Sequence, residues 1–373
     1  MTEQTVLVPV EQMSKLLRQT FELIGSSSEE AERIATRLIG ANLRGHESHG
    51  VIRMPRYVDW VFKGVMVPDQ KIRILKENEV ISIVDGQYGF GQTVGEQVVN
   101  MGVEKALKHG AAVTTLRNAG HLGRIGDWAE LAAEENVASL HMVNVRGSLL
   151  VAPFGGVERR GSTSPFCCGI PLPGKPPIIH DFATSLVAEG KALVALRGGK
   201  PLPDGAIIES DGRLSNDPVP LYGELSENRY PDPNRGPGAL TGFGLHKGSG
   251  LNFFMEMFAG ALSGSGTAAG IHDTSLRRFC NGMLSVYFSV NFFHGDNWFA
   301  HEVQSYVEFF KSSRPAECGG EVLIPGEVEL RLMKERMQTG LPLSAETWKD
   351  LLNCAEKVGV EETFLKTLRD IGY

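Results

Sequence analysis

Cysteine is scarce in this chain and badly spaced. The five are Cys167, Cys168, Cys280, Cys318 and Cys354, an odd count with one adjacent pair and no C-x-x-C. Such a set makes a poor disulfide framework and a poor zinc pattern. Long hydrophobic runs are missing as well: the most apolar stretch, residues 251–262, is interrupted by Glu256 and is too short to span a bilayer. The first residues, MTEQTVLVPVEQMSK, lack a basic region followed by an apolar run, so no secretory signal is expected. Nor is there a surplus of positive charge. With 37 Lys+Arg against 44 Asp+Glu the formal charge is −7, and the pI is near 5.9. Neither nucleic acid nor an anionic membrane is therefore an expected partner. No G-x-G-x-x-G follows a strand with an acidic residue about twenty positions later, which argues against a Rossmann dinucleotide site. GSGTAAG at residues 264–270 has the wrong spacing. G-x-x-x-x-G-K-[ST] and G-x-S-x-G are absent too, so neither a P-loop nor a nucleophile elbow is expected.

The bulk composition is ordinary, with 42% hydrophobic and 22% charged residues, which argues against disorder. A length of 373 residues is long for one core, so two compact units are expected. The chain reads as soluble, cytoplasmic and reduced. Met13, Leu16, Leu17, Phe21 and Ile24 recur at helical spacing, with Gly25 as a stop. Ser26-x-x-Glu29 and Ser27-x-x-Glu30 are overlapping capping boxes for a second helix with Ala31, Ile34, Ala35, Leu38 and Ile39 on its apolar face. Up to about residue 75 the pattern reads as helical.

From residue 79 it alternates. A strand over 80–84, the turn-rich GQYGFGQ and a helix over 94–109 lead to the strand AAVTTLR. NAGHLGRIGDWAELAAEEN is a loop running into a helix, and ASLHMVNV is another strand. The alternation continues through residues 178–182 and 192–196, making the middle mixed α and β. Residues 198–238, rich in Gly, Pro, Asp and Asn, read as loop, and a loop of that length usually has a task such as covering a site. A buried helix over 251–262, a strand over 282–291 and helices over 298–310 and 327–339 complete the order.

Residues 44–60, RGHESHGVIRMPRYVDW, carry two histidines, a serine, three arginines and a tyrosine. On a helix, His49, Arg53 and Tyr57 share one face, with Arg56 and Trp60 beside it. An imidazole exchanges protons near neutral pH, and a guanidinium grips a carboxylate through two parallel hydrogen bonds. That face pairs a proton carrier with an anion clamp, although a solvated or interface helix would show the same spacing. His46-x-x-His49 is conceivable as a metal pair, but it is not H-E-x-x-H and has no evident acidic or cysteine partner, so no metal is expected. Three further segments stand out. His121 lies in a glycine-flanked turn between a strand and a helix, as a catalytic or a capping residue. A strand ends at Asp181, with Thr184 and Ser185 able to cap an element or hold phosphate oxygens. Lys247, among the glycines of GFGLHKGSGLNFF at a helix start, suits a phosphate or carboxylate.

These segments, in this order, resemble the malate/L-lactate dehydrogenase family of nicotinamide-dependent oxidoreductases that lack a Rossmann fold. Its members include ureidoglycolate dehydrogenase, diketogulonate reductase, sulfolactate dehydrogenase and reductases of cyclic imino acids. The matching pieces are ANLRGHESHGVIRMPRYV, NAGHLGRIGDWAELAAEENV, VAPFGGVERRGSTSPF, DFATSLVAEGK, GFGLHKGSGL and IPGEVELRLMKERMQTGLPLS, spanning residues 41–344. The resemblance implies an active site around Ser48, His49 and Gly50, a substrate pocket lined by Arg53 and Tyr57, and His49 or His121 as the acid/base. It implies NAD or NADP contacts at Asn144 and Val145, along Asp181, Phe182, Ala183, Thr184 and Ser185, at His246 and Lys247, and at Pro325, Gly326 and Glu327. It further implies an α+β fold. A cofactor domain over 76–299 would have a mixed or antiparallel sheet, and a discontinuous helical domain would come from 1–75 and 300–373. A homodimer is implied, with each site near the partner chain. Two departures bear on the pocket: Thr163-Ser164-Pro165 stands where the family usually has Thr-Asn-Pro, and Arg146 stands where smaller or acidic residues are common.

The implied chemistry is hydride transfer between NAD(P) and a small, anionic 2-hydroxy or 2-oxo acid. The protein must hold the carboxylate, move the hydroxyl proton and fix C2 against the nicotinamide. Arg53 is the expected carboxylate clamp, with Ser48 and Tyr57 orienting the substrate. Asp181 would orient a histidine or touch the cofactor. Reduction of a cyclic imino acid is the alternative within the family. Outside it, the residues also allow a metal-dependent hydrolase built on His46 and His49, or a ligand-binding protein without turnover.

Overall fold

The computed structural model describes residues 5–371 apart from 197–199, 224–230, 273–278 and 295. Strand β1 (Thr5–Val8) precedes helices α1 (Val10–Leu23) and α2 (Ser28–Leu43). α1 buries Met13, Leu16, Leu17 and Phe21 along one stripe, and the chain leaves it at Gly25 with φ +106. Ser27 caps α2, accepting the Glu30 amide at 3.3 Å. The acidic half of the capping box is rewired. Glu30 turns to Ser26 Oγ and Thr93 Oγ1, each at 2.8 Å, while Asp69 accepts the Ser27 amide at 2.8 Å.

Residues 44–60 do not form one helix. Two 3-10 turns, Glu47–His49 and Val51–Arg53, lead into α3 (Met54–Phe62). Gly50 is extended at ψ −151, and Pro55 has no amide to extend a helix backwards through Val51, so the helix starts at Met54. His49, Arg53 and Tyr57 are therefore brought together by a bent chain, and the shared helical face expected for them is corrected.

The chain then runs through β2 (Arg73–Glu77), β3 (Ile81–Asp85), α4 (Gly91–His109), β4 (Ala111–Ala119), α5 (Gly126–Glu134) and β5 (Val137–Arg146). After β6 (Phe166–Ile170), β7 (Ile178–Phe182) and α6 (Glu189–Leu196) come the short β8 (Ile207–Ile208), β9 (Leu214–Ser215), α7 (Val219–Tyr222) and β10 (Ala239–Leu240). α8 (His246–Met255) continues as a π-helix over Glu256–Leu262. The remainder is β11 (Cys280–Ser289), α9 (Val290–Phe293), α10 (Asp296–Lys311), α11 (Glu327–Thr339), β12 (Leu341–Ser344), α12 (Ala345–Val358) and α13 (Glu362–Arg369).

Seven strands form one sheet in the order β2-β3-β4-β11-β5-β6-β7, in which only β3 and β4 pair in parallel. The fold is thus α+β with a mixed, mainly antiparallel sheet. The single parallel crossover among the described residues, β3–α4–β4, does carry a glycine-rich turn, but the protein itself fills it. A Cβ on Gly91 would lie 2.2 Å from the His121 carbonyl oxygen, and one on Gly89 would lie 2.7 Å from Gln70 Cβ. α4 and α5 cover one face of the sheet over Val84, Val98, Leu116, Trp128 and Tyr287. A second core, with Leu17, Phe21, Ile34, Leu38, Leu351 and Leu365, joins α1, α2 and α3 to α12 and α13. β1 pairs antiparallel with β12, closing the first strand on one far along the chain.

Several expectations differ in detail. β1, β2 and β6 are strands the sequence reading passed over; β2 is exposed along its whole length and carries no alternation. Residues 192–196 belong to helix α6. The expected strand over 282–291 ends at Ser289 and turns helical. The expected buried helix over 251–262 buries one side only, through Asn252, Met255, Glu256, Ala259 and Gly260, and leaves Phe253 59% exposed. Within residues 198–238, positions 198, 199 and 224–230 lie outside the described residues. The remainder includes the short β8, β9 and α7 and a small core of Leu202, Ile207, Leu221 and Tyr222. Arg159 pins this segment by donating to the carbonyls of Gly238, Pro233, Leu221 and Gly236.

Candidate active site

Gly50 explains the local geometry of Ser48-His49-Gly50. A Cβ there would lie 1.8 Å from Asn42 Oδ1, which accepts the Val51 amide at 2.7 Å. The turn is therefore stitched to α2 at a spot where only glycine fits. From α11, Arg336 reaches Glu47 at 2.7 Å, and Glu329 faces His46 at 3.7 Å. Gly190, entering α6, allows a similarly close approach on Ser48, whose Cβ would be 2.8 Å from an added methyl.

His49 and His121, read separately from the sequence, meet. Their rings stack at 5.3 Å with 12° between planes, and His49 Nδ1 lies 3.3 Å from His121 Nε2. The other ring nitrogen of His121, Nδ1, is 2.6 Å from the Tyr57 hydroxyl. Tyr57 is fully buried, and Gln92 Nε2 donates to its oxygen at 3.0 Å. Starting from Gln92, the donors order themselves: the phenol gives its proton to His121 Nδ1, which leaves Nε2–H of His121 to point at His49 Nδ1. Both imidazoles are half-buried. Burial first, then the Arg53 charge, holds His49 down to about 3 and His121 well below the ordinary imidazole value. Burial pushes the Tyr57 phenol up to about 12. The resting site holds two neutral imidazoles and a neutral phenol.

Arg53 Nε donates to the Ser48 carbonyl at 2.5 Å, holding the side chain beside the histidines. Trp60 stacks on Phe279 at 4.5 Å, and Phe279 lies 6.3 Å from the His121 ring, giving the histidine an apolar neighbour. Behind His121, the Leu122 amide is fixed by Asn281 Oδ1 at 2.9 Å, and buried Arg124 is paired with Asp127 and Glu130. Gln92, Asn42, Asn281 and Phe279 had no mark in the sequence reading. Gln92, Asn281 and Phe279 act through contacts distant along the chain, and Asn42 through the Val51 amide nine positions on. His46 and His49 turn to different partners, and among the described residues no three His, Cys, Asp or Glu side chains gather as a metal site.

The residues expected at the cofactor divide into two groups. Several are taken up by the fold. The Asn144 amide donates to Gly266 O at 3.0 Å and accepts the Gly282 amide at 3.1 Å. Asp181 caps α5 through the Gly126 amide at 2.7 Å. Thr184 Oγ1 donates to Thr163 O at 2.9 Å and accepts from Asn252 at 2.8 Å, while Ser185 Oγ donates to Val187 O. Glu327 pairs with Lys311 after a turn at Gly326 with φ +91. Lys247 belongs to the other group: its ammonium has no partner among the described residues. It sits on the first turn of α8, just after Leu245, whose φ of +57 marks a constrained loop. His246 packs edge-on to Phe154, and Phe182 meets Phe166 and Phe243. An uncompensated cation at a helix start beside aromatic faces suits a phosphorylated, ring-bearing cofactor.

A sequence profile described as malate/L-lactate dehydrogenase matches residues 8–352. Hydroxycarboxylate dehydrogenase B of Escherichia coli K12 is 33% identical over 358 residues, covering 95% of each chain. Malate dehydrogenase of Pyrococcus abyssi is 32% identical over 363 residues, covering 96% of this chain and 97% of its own. The structure of malate dehydrogenase from Pyrococcus horikoshii OT3 superposes with a TM-score of 0.82 at 30% identity, over 96% of this chain and 97% of that one.

Proposed function

Because the chain belongs to the malate/L-lactate dehydrogenase family, we propose that it moves a hydride between C2 of a small 2-hydroxy acid and NAD or NADP, using His49 and His121 as a joined proton carrier. The observation that carries this is the ordered chain Gln92–Tyr57–His121–His49 beside Arg53. Its 3.3 Å imidazole contact is the longest link, so it is the one a substrate oxygen can replace. His121 Nε2–H then donates to that oxygen, and His49 Nδ1 accepts its proton as hydride leaves C2. A base must be unprotonated before substrate arrives, and the lowered proton affinity of both rings provides that. In reduction, a carboxylate on Arg53 offsets the guanidinium field and lets the pair hold the proton it must deliver. Ser48 and Tyr57 fix the substrate's orientation. The nicotinamide, when bound, supplies the hydride acceptor or donor. Lys247 would hold its phosphates, while Asn144, Val145, Asp181, Thr184 and Ser185 shape the wall and Pro325–Glu327 borders it.

The same reading takes 1–75 with 300–373 as a helical domain and 76–299 as the cofactor domain, a division supported by the separate cores. Exposed Phe253, Phe254, Phe292, Trp298 and Phe309 favour a homodimer, since so many large apolar side chains seldom all stay wet. Among the described residues no helix is long and apolar enough to cross a membrane, in keeping with a cytoplasmic enzyme. The test is quenching of protein fluorescence by NADH and by NADPH, followed by oxidation of the preferred one with a panel of 2-oxo acids. Consumption with at least one small 2-oxo acid is expected. Reduction of a cyclic imino acid alone would replace this reading with the alternative one.

A further inference from the structure

Arg146, at the end of β5, carries a guanidinium that the fold leaves uncompensated. We propose that it reads a second anionic group on the substrate, so that dianionic 2-oxo and 2-hydroxy acids are preferred; this rests on the reaction proposed above. Several other half-buried or buried arginines are neutralised: Arg44 by Glu130 at 2.8 Å, Arg117 by Asp85 at 3.0 Å and Arg124 by Asp127 at 2.8 Å. Arg146 has no carboxylate within ion-pair distance among the described residues. Nη1 donates to Ser265 O at 2.8 Å, and Nη2 makes only a long 3.4 Å contact to Tyr88 Oη. Its Nε–H is buried with no acceptor. A guanidinium has five N–H donors, and the Nη1 and Nη2 hydrogens not given to Ser265 O and Tyr88 Oη remain to meet a ligand.

Its position ties it to the histidines. In the sheet Arg146 lies opposite Cys280, and the next residue back, Phe279, has its ring 6.3 Å from His121. Tyr88 belongs to the turn whose Gly91 abuts the His121 carbonyl. The side chain is also held in place. A Cβ on Gly266, where φ is +91, would lie 3.4 Å from Arg146 Cδ, so glycine lets the loop close over the arginine stem. A fixed, planar, half-buried fork loses little freedom on meeting a carboxylate or sulfonate, and it rejects a methyl by leaving its charge unmet. The proposal places the C1 carboxylate on Arg53 and the far carboxylate of a four-carbon acid, or its sulfonate equivalent, on Arg146.

The experiment compares kcat/KM for oxaloacetate and pyruvate in wild type, Arg146→Gln, Arg146→Lys and Arg56→Gln, with Tm measured for each. Wild type is expected to prefer oxaloacetate. Arg146→Gln should lower kcat/KM on oxaloacetate by between about tenfold and a hundredfold, the range for losing a charged hydrogen-bond partner, and leave pyruvate nearly unchanged. Should that variant fail to fold, Arg146→Lys decides, with loss confined to oxaloacetate expected. Equal loss on both acids, no preference in wild type, or a preference that collapses in Arg56→Gln instead overturns the inference. If wild type oxidises NADH or NADPH with neither acid but with a monoanionic 2-oxo acid, this inference alone falls, whereas turnover of another dianionic 2-oxo acid that is lost in Arg146→Gln upholds it. If no 2-oxo acid is turned over, the reaction itself has been misread and this inference falls with it.

Discussion

A histidine pair at 3.3 Å is useful only while both rings stay neutral at rest, because two adjacent imidazolium ions would repel each other beside Arg53. His49→Ala and His121→Ala are each expected to lower kcat by roughly 10²–10⁴, the range for loss of a general acid/base. Steady-state kinetics at saturating substrate checks this, and a variant with near-wild-type kcat would reduce its histidine to a binding role. Arg53→Lys keeps the charge but loses the planar two-point grip and the Nε–H that holds it to Ser48 O. It should lower kcat/KM about tenfold or more, while NADH affinity measured by fluorescence hardly moves. Unchanged turnover would pass the role to Arg56. Residue types made His49, Arg53, Tyr57 and His121 legible in the sequence, since protonatable and guanidinium groups concentrated in short segments are unusual. Gln92 was not legible: a neutral amide at a helix start gives no signal of the phenol it will meet 35 positions back.

Among the elements, those with strong apolar periodicity were read closely. α1 and α2 bury the faces expected of them, and α11 spans Glu327–Thr339 as expected although it buries none of its residues. The segment before α3 was misread because composition outweighed two local breakers, Gly50 and Pro55. The rewired cap of α2 depends on Asp69, 42 positions away from Ser27, which no local pattern contains. The Gly50 contact makes a sharp prediction. Gly50→Ala must displace either Asn42 or the His49 turn and should cost about 2–4 kcal/mol, as severe overpacking does, together with most of the activity. Chemical denaturation measures the loss. Asn42→Ala combined with Gly50→Ala should recover part of the stability, because the clashing carboxamide is gone, and the absence of any recovery would refute the close-approach account.

Over the whole molecule, acid is the vulnerability. His141 is fully buried between Ser285 Oγ at 2.8 Å and Ser139 Oγ at 3.0 Å, and burial holds it down to about 3 from an ordinary 6.5. Folded His141 stays neutral while the unfolded chain takes up a proton below pH 6.5. Its contribution is therefore intact above that pH and declines as pH falls toward 3. The slope for one such group is about 1.4 kcal/mol per pH unit, and His49 and His121 push in the same direction. Denaturation curves from pH 7 to 5 should show falling stability, and His141→Gln, which keeps a hydrogen-bonding side chain, should flatten the slope by one proton. An unchanged slope would place the uptake elsewhere.

The pairing of β1 with β12 sets an order of events during synthesis on the ribosome. Thr5–Val8 find their strand partners only at Leu341–Ser344, and the core of α1 and α2 is incomplete until Leu351 and Leu365 arrive. The sheet can assemble as soon as β11 has emerged, while the amino-terminal helices wait with an apolar stripe unsheltered. Closing so long a loop is slow for entropic reasons, but it is eased if the sheet has already drawn the ends together. Nascent chains halted about 40 residues beyond Ser289, far enough for β11 to clear the ribosome's exit tunnel but short of β12, should therefore protect the sheet from protease and leave α1 and α2 cleavable, and it is in that interval that chaperones would find their hold.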